Sequence, residues 1–472
     1  MKNSMSKPRF SNNIFIYCFA VSFAYWLYLF FASRMSMSCD AIGYEELGKL
    51  LYQKGWKAYF LTGPNREPFY PWLVSVSMRI GDWLGISYMY IQKIFQILIL
   101  AVTQFVLYRF LVLLNIRRVI IAGAVLYFGF SPSIVNTGFS LYSEITTYLF
   151  IFGIIGSTYF LWKRMQEKKF WKVLGWGICL GFSFTGGMFL KGIMELVFPI
   201  YFLFLLSVFM RWQKKEKTSW QWALPLMVTA VIFYGIIGGY KWLNYRYNHC
   251  FVFTDRGSWA LYGNTIRRME PLTFKRFLVN LASVPGEGAC RAFFPEEECY
   301  FWSAQKSDSI GGPRNNELSA LGIPGNEINK ILVRDSLKSV LSNPFQYALL
   351  SVTEDVKMLF WESTQIGFVQ YPGWLKRLFA LGVVKNGIRL IVSGLTILAF
   401  FYLWIRSVGG MLLAIKWFLT IYIVLHSVFL TIPRWALPLA PLYIMIIAYF
   451  FDQMTHFYKK GRMAKRKESH VL

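Results

Sequence analysis

The chain has 472 residues, 56% of them apolar, 19% aromatic and only 16% charged. A soluble chain of that length would make about three domains. Its apolar residues instead arrive in blocks of roughly 18 to 30, long enough as helices to cross a hydrocarbon core, which excludes a soluble multidomain protein and a disordered one. The net charge of +26 would otherwise suggest nucleic acid. Here Lys and Arg sit in short runs between apolar blocks, at Arg117-Arg118, Lys163-Arg164, Lys168-Lys169, Lys214-Lys215 and Lys459 to Lys467. That is the positive-inside signature of cytoplasmic loops, so no nucleic-acid partner is expected.

Lys2, Lys7 and Arg9 place the amino terminus in the cytoplasm, and Ile14–Phe31 is the first span. No small-residue cleavage site follows it, so it reads as an anchor and not a removable signal. Tyr88–Leu114 returns inward to Arg117. Val119–Val135 with Ile145–Trp162, then Val173–Phe189 with Ile193–Met210, form two further pairs, and Trp222–Trp242 runs out. Ile388–Ile405, Met411–Leu430 and Trp435–Phe451 follow a long polar segment. The expectation is an all-α polytopic membrane protein with about 10 transmembrane helices, in a range of about 8–12, and both termini cytoplasmic.

Four regions result. Residues 1–242 form a transmembrane module containing a first outer loop, 34–87. Residues 243–385 form a small, mainly helical extracytoplasmic segment. Residues 386–458 hold the last helices, and 459–472 form a basic tail. The long segment carries 13 of the 24 acidic residues beside 16 basic ones; long loops translocate largely regardless of charge. Within it Ser309–Pro313 and Gly322–Asn326 read as turns, Glu327–Leu341 as a helix and Phe345–Phe360 as amphipathic. Cys290 and Cys299 either close a small loop or stay free, since spacing does not decide connectivity. No internal repeat of the transporter kind is visible. Mass concentrated on one side favours surface chemistry, because long loops tend to be functional.

The first outer loop holds the chemistry. Cys39-Asp40-Ala41-Ile42-Gly43-Tyr44 leads into an amphipathic stretch, Ile42–Leu51, suited to the interface. Asp40 has two readings: an N-cap, or a functional carboxylate at a positive helix terminus. Further on stands Gly63-Pro64-Asn65-Arg66-Glu67-Pro68-Phe69-Tyr70-Pro71-Trp72. Its prolines stiffen the backbone, and Arg66 with Glu67 are either an ion pair or a functional couple. Glu144, Lys191 and Arg434 lie at outer span ends, where a charge is costly and is a functional candidate; for the cations, snorkelling to the interface is the alternative.

In order, these elements resemble the GT-C superfamily of membrane glycosyltransferases. The likeness is to the branch of the protein O-mannosyltransferases and the lipid A aminoarabinose transferase. It is carried by Asp40 and Tyr44, the Arg66-Glu67-Pro68-x-Tyr70 element, Glu144, the Gly-rich fifth span before Leu190-Lys191-Gly192, and Pro433-Arg434-Trp435-Ala436-Leu437-Pro438. It covers about the first 200 residues and the last 40. It departs at Ala41, where many relatives have a second acidic residue, and at Glu67, where Lys is frequent.

The resemblance implies a GT-C-like fold in the plasma (inner) membrane, its active site facing outside the cytoplasm. A sugar on a polyprenyl-phosphate donor would move, with inversion, to an acceptor glycan, lipid or protein of the cell envelope. Asp40 would act as general base, with Glu67 and Glu144 also in the catalytic set. Arg66, Lys191 and Arg434 would bind the donor phosphate, and Tyr44 and Tyr70 would position substrate. Asp40 and Glu144 are also the candidate ligands of a divalent cation (Mg, Mn or Zn). The rival expectations are a lipid or polysaccharide transporter or flippase, and a glycan ligase using lipid-pyrophosphate donors.

Overall fold

The computed structural model describes residues 13–217, 219–363, 368–429 and 431–468, with side chains described as far as Tyr458. The basic residues Lys2, Lys7 and Arg9 and the side chains of Lys459–Lys467, on which both cytoplasmic ends were argued, lie outside this range.

The chain is helical almost throughout. Helix α1 (Asn13–Ala32) is followed by α2 (Asp40–Leu61) and α3 (Phe69–Leu84) in the first loop, then α4 (Tyr88–Leu113). Next come α5 (Arg118–Phe130), α6 (Pro132–Gly138), α7 (Glu144–Gln166), α8 (Phe170–Met188), α9 (Met194–Glu216) and α10 (Leu224–Asn248). The long polar segment folds as α11 (Arg256–Met269), α12 (Phe274–Ser283), α13 (Glu287–Cys290), α14 (Glu296–Phe301), α15 (Ala304–Ala320), α16 (Gly325–Ser342) and α17 (Pro344–Asp355). A short α18 (Gly373–Ala380) leads to α19 (Gly382–Ile405), α20 (Met411–Phe429) and α21 (Ala440–Glu468).

Among the described residues eight helices are long and apolar enough to cross a membrane, and nine if α5 and α6, bent by 46° at Ser131-Pro132, form one span. The tenth expected span, Val173–Phe189, is the glycine-rich helix α8, which is not among those counted. Its glycines serve packing. A Cβ on Gly177 would lie 2.5 Å from the Pro225 carbonyl oxygen, so α8 and α10 meet backbone to backbone. Thr229 Oγ1 donates across that contact to Gly177 O at 2.8 Å. Without a hydrophobic drive between helices in lipid, such close approach and interhelical bonding hold the bundle.

The Ser309–Pro313 turn expected from sequence is corrected: these residues lie inside α15. Gly263 of α11 and Gly311 of α15 face the partner's backbone, with Cβ positions 2.1 and 2.2 Å from Ser307 O and Trp259 O. Glycine serves helix contact here, and tertiary packing overrides its turn preference. The final helix also runs past Phe451, to Glu468.

Two links gather the polar segments at one end of the bundle. Arg34–Met35 pairs antiparallel with Val369–Gln370, and the Asp255 N–H donates to Pro64 O at 3.1 Å. At the opposite end Arg117 Nε donates to Asp452 Oδ1 at 2.8 Å, tying the α4–α5 turn to α21. Cys290 and Cys299 are joined in a disulfide. The α11–α17 unit is centred on Glu354, which is fully buried. It receives Arg267 at 2.7 Å, Lys357 at 3.4 Å and Arg268.

A chain of alternating charges at the loop end of the bundle

Asp40 opens α2, and Cys39, with φ of 52°, turns the chain into it. No side-chain cap is formed there, so the N-cap reading of Asp40 does not hold. Its carboxylate is instead divided between two arginines. Oδ1 accepts from Arg66 Nη2 at 2.8 Å, and Oδ2 accepts from Arg434 Nη2. Arg66 comes from the proline-stiffened loop before α3. Arg434 comes from the 3-10 turn Pro433–Leu439 that leads into α21.

The chain of charges continues through Glu144, the first residue of α7 and 1% exposed. Its Oε1 lies 3.2 Å from Lys191 Nζ and 3.6 Å from Arg434 Nε. The order is Lys191, Glu144, Arg434, Asp40, Arg66, positive and negative in turn. Glu144 Oε2 is buried and finds no hydrogen-bond partner among the described residues. A buried acceptor without a partner is costly, so this oxygen has capacity for a ligand. The snorkelling alternative fails for Lys191 and Arg434, both of which turn inward onto Glu144.

Glu67 stands beside the chain. Its Oε1 accepts the Gly192 N–H at 2.9 Å, and the Phe69 N–H donates to Phe189 O at 3.1 Å. Together these pin the proline loop to the α8–α9 connection that carries Lys191. Arg66 and Glu67 therefore have separate partners and do not form the simple pair considered from sequence. Tyr44 supports the Arg66 guanidinium, which lies 4.7 Å above its ring, and its hydroxyl meets Ser143 Oγ at 3.1 Å. Tyr70 packs on Tyr44 at 4.8 Å. Its hydroxyl accepts from Gln92 and Gln96 of α4 at 3.2 and 2.9 Å, so it anchors the core behind the charges. Sequence reasoning passed over Tyr142, whose ring lies 4.9 Å below the Arg434 guanidinium. It stands two residues before Glu144, and that adjacency was the available signal.

Burial alone would raise the Asp40 carboxyl, but the guanidiniums of Arg434 and Arg66 outweigh it and hold the group well below the usual carboxylate range. Burial likewise opposes the charge on Lys191, and Glu144 outweighs it, so its ammonium is held more firmly than usual.

The residues present do not fit a resident divalent cation at Asp40 and Glu144. Three of the four oxygens that would ligate it, all but Glu144 Oε2, already face guanidinium or ammonium groups, and Arg434 stands between the two carboxylates. No group of three His, Cys, Asp or Glu side chains gathers as a metal cage among the described residues.

No protein-family model matches this chain, and no curated protein does either.

Proposed function

We propose that the chain is a membrane glycosyltransferase of the GT-C kind, moving a sugar from a polyprenyl-phosphate donor to an acceptor hydroxyl outside the cytoplasm. The observation that carries this reading is the alternating charge chain. Three cations from separate elements converge on two carboxylates, and Glu144 keeps one oxygen unspent.

The chemistry follows from those residues. A lipid phosphate is a good leaving group when its charge is met by fixed cations, and it needs no general acid. Arg66, Arg434 and Lys191 supply that charge, and arginine suits bidentate phosphate contact. With both guanidiniums on Asp40, that carboxylate is a weak base. A phosphate that takes over the guanidiniums returns basicity to Asp40 at the moment the donor is in place. The acceptor oxygen then bonds to the anomeric carbon as the bond from that carbon to the phosphate oxygen breaks. The hydroxyl proton passes to Asp40, and the electron pair leaves with the lipid phosphate. Attack opposite the leaving group inverts the anomeric centre. Glu144 sets the spacing of Lys191 and Arg434, and Glu67 holds the loop that presents Arg66. With a guanidinium between the carboxylates, no divalent ion is invoked.

The test compares wild type with Asp40→Asn in cells, by mass spectrometry of surface glycolipids and glycoproteins. Loss of one sugar mass at unchanged expression is expected. An unchanged glycan profile overturns the transferase reading and favours a transporter.

A further inference from the structure

At the Arg66 end of the charge chain a cavity of about 480 Å³ opens between α2, the Pro64–Arg66 turn, α11 and α15. That lies within the ~300–1,000 Å³ of small-ligand sites. Gly43, Glu46 and Leu47 of the first turns of α2 line one side of it; Asp40 lies outside the lining, on the same helical face as Gly43 and Leu47. Arg66 belongs to both structures: it holds Asp40 and it lines the cavity. Gly43 makes this possible, since a Cβ there would stand 3.0 Å from Arg66 Nε and push the guanidinium off the helix.

Leu47 and Trp259 are the only apolar side chains in the lining among the described residues. The rest of the wall presents carboxylates, amides and guanidiniums, among them Glu46, Asn65, Asn315 and Asn316. Such groups both donate and accept, as a cluster of hydroxyls requires. One aromatic plane among them offers a face for the C–H side of a pyranose ring. An acyl chain would leave these polar groups desolvated without partners, at a cost. A peptide added as a β-strand would need an open strand edge; the cavity walls are helices and a turn.

We infer that this cavity is the acceptor subsite and that the acceptor is a carbohydrate. Its terminal sugar lies against Trp259, its hydroxyls pair with Glu46, Asn315 and Asn316, and the reacting hydroxyl passes Arg66 to reach Asp40. This inference rests on the transferase reading. It deepens that reading by placing the new bond on a sugar, not on a peptide or a lipid headgroup.

Gly312 provides the test. A Cβ built there meets no atom within 4 Å, and Gly312 lines the cavity, so Gly312→Phe is chosen to fill it, with Tm reporting any displacement of the helix. Asn316, exposed on the same helix, gives a second, milder variant, Asn316→Ala. Cells carrying wild type, Asp40→Asn, Gly312→Phe or Asn316→Ala are compared by mass spectrometry and glycosidic linkage analysis, with expression level and Tm as fold controls. The expected result is that the sugar lost in Asp40→Asn is attached to another sugar. The Gly312→Phe chain loses at least about tenfold of it, a change worth ~1.4 kcal/mol, and Asn316→Ala loses less, each at wild-type Tm. Wild-type transfer by Gly312→Phe overturns the subsite. Attachment to a Ser or Thr side chain, or to a lipid headgroup, overturns the acceptor class while the transferase reading stands. If Asp40→Asn changes no glycan, that reading fails instead, and the cavity is judged by binding alone. Purified full-length protein in nanodiscs is then titrated calorimetrically with mannotriose, maltotriose and chitotriose over a millimolar range. Saturable binding lost in Gly312→Phe upholds a carbohydrate site; no saturable binding by any of the three overturns it.

Discussion

Asp40→Asn should bind inorganic phosphate more tightly than wild type, although it removes the proposed base. In the native chain any anion approaching Arg66 or Arg434 competes with the Asp40 carboxylate, which holds both. A hydrogen bond between charged groups contributes about 1.5–3 kcal/mol. Asn keeps the shape but offers one neutral oxygen, and the local net charge rises by one. Recovering about half of one such bond, ~1.4 kcal/mol, makes phosphate bind about tenfold more tightly. The assay is isothermal titration of each purified protein with phosphate, backed by thermal unfolding. Without phosphate, Asp40→Asn should unfold earlier, because two partly buried cations lose their shared counter-charge. With phosphate its Tm should rise more than that of wild type. Equal phosphate affinity in the two proteins would refute the idea that Asp40 and the donor phosphate compete for the same guanidiniums.

Other outcomes follow from the same physics. Glu354→Gln removes the buried carboxylate that Arg267, Arg268 and Lys357 surround; leaving such charges unpaired costs about 3–5 kcal/mol, so hydrogen exchange should accelerate across α11–α17 with little change at α4 or α7. The Asp40 carboxyl is held well below its usual range despite burial, by Arg434 and Arg66. Its stabilisation is therefore complete above the unfolded value near ~4 and is lost as pH falls through the folded value. A Tm profile from neutral pH downward should drop more steeply below about pH 4 in wild type than in Asp40→Asn. Replacing Cys290 and Cys299 with Ser opens a loop with a sequence separation of 9. The expected loss is roughly 2–3 kcal/mol, read as faster proteolysis between α12 and α14. Gly177→Leu drives a side chain into the Pro225 carbonyl and should lower Tm by separating α8 from α10; an unchanged Tm would remove that contact from the list of what holds the bundle.

Hydropathy was enough to expect a helical membrane protein and to place its long apolar helices, the last of which runs on well past its expected end at Phe451. Membrane insertion depends on composition over about 20 consecutive residues, which is local information. Asp40, Arg66, Glu144, Lys191 and Arg434 were also visible one by one, because a charge at a span end stands out against apolar sequence. What each charge touches was not visible. Asp40 and Arg434 are 394 residues apart, and only the fold, which sets the Pro433–Leu439 turn against the starts of α2 and α7, makes them partners. Local sequence favoured a helix cap at Asp40 and a turn at Ser309–Pro313, and offered an ion pair as one of two readings of Arg66-Glu67. The fold replaced the cap and the pair with long-range ion pairs and hydrogen bonds, and the turn with a helix pressed backbone to backbone on its neighbour. The cavity beside Arg66 left no trace in the sequence, since Trp259, Asn315 and Asn316 share no local pattern with Asp40. They meet at a cavity where α11 and α15 face the first turns of α2, beside the hydrogen bond from the Asp255 N–H to Pro64 O.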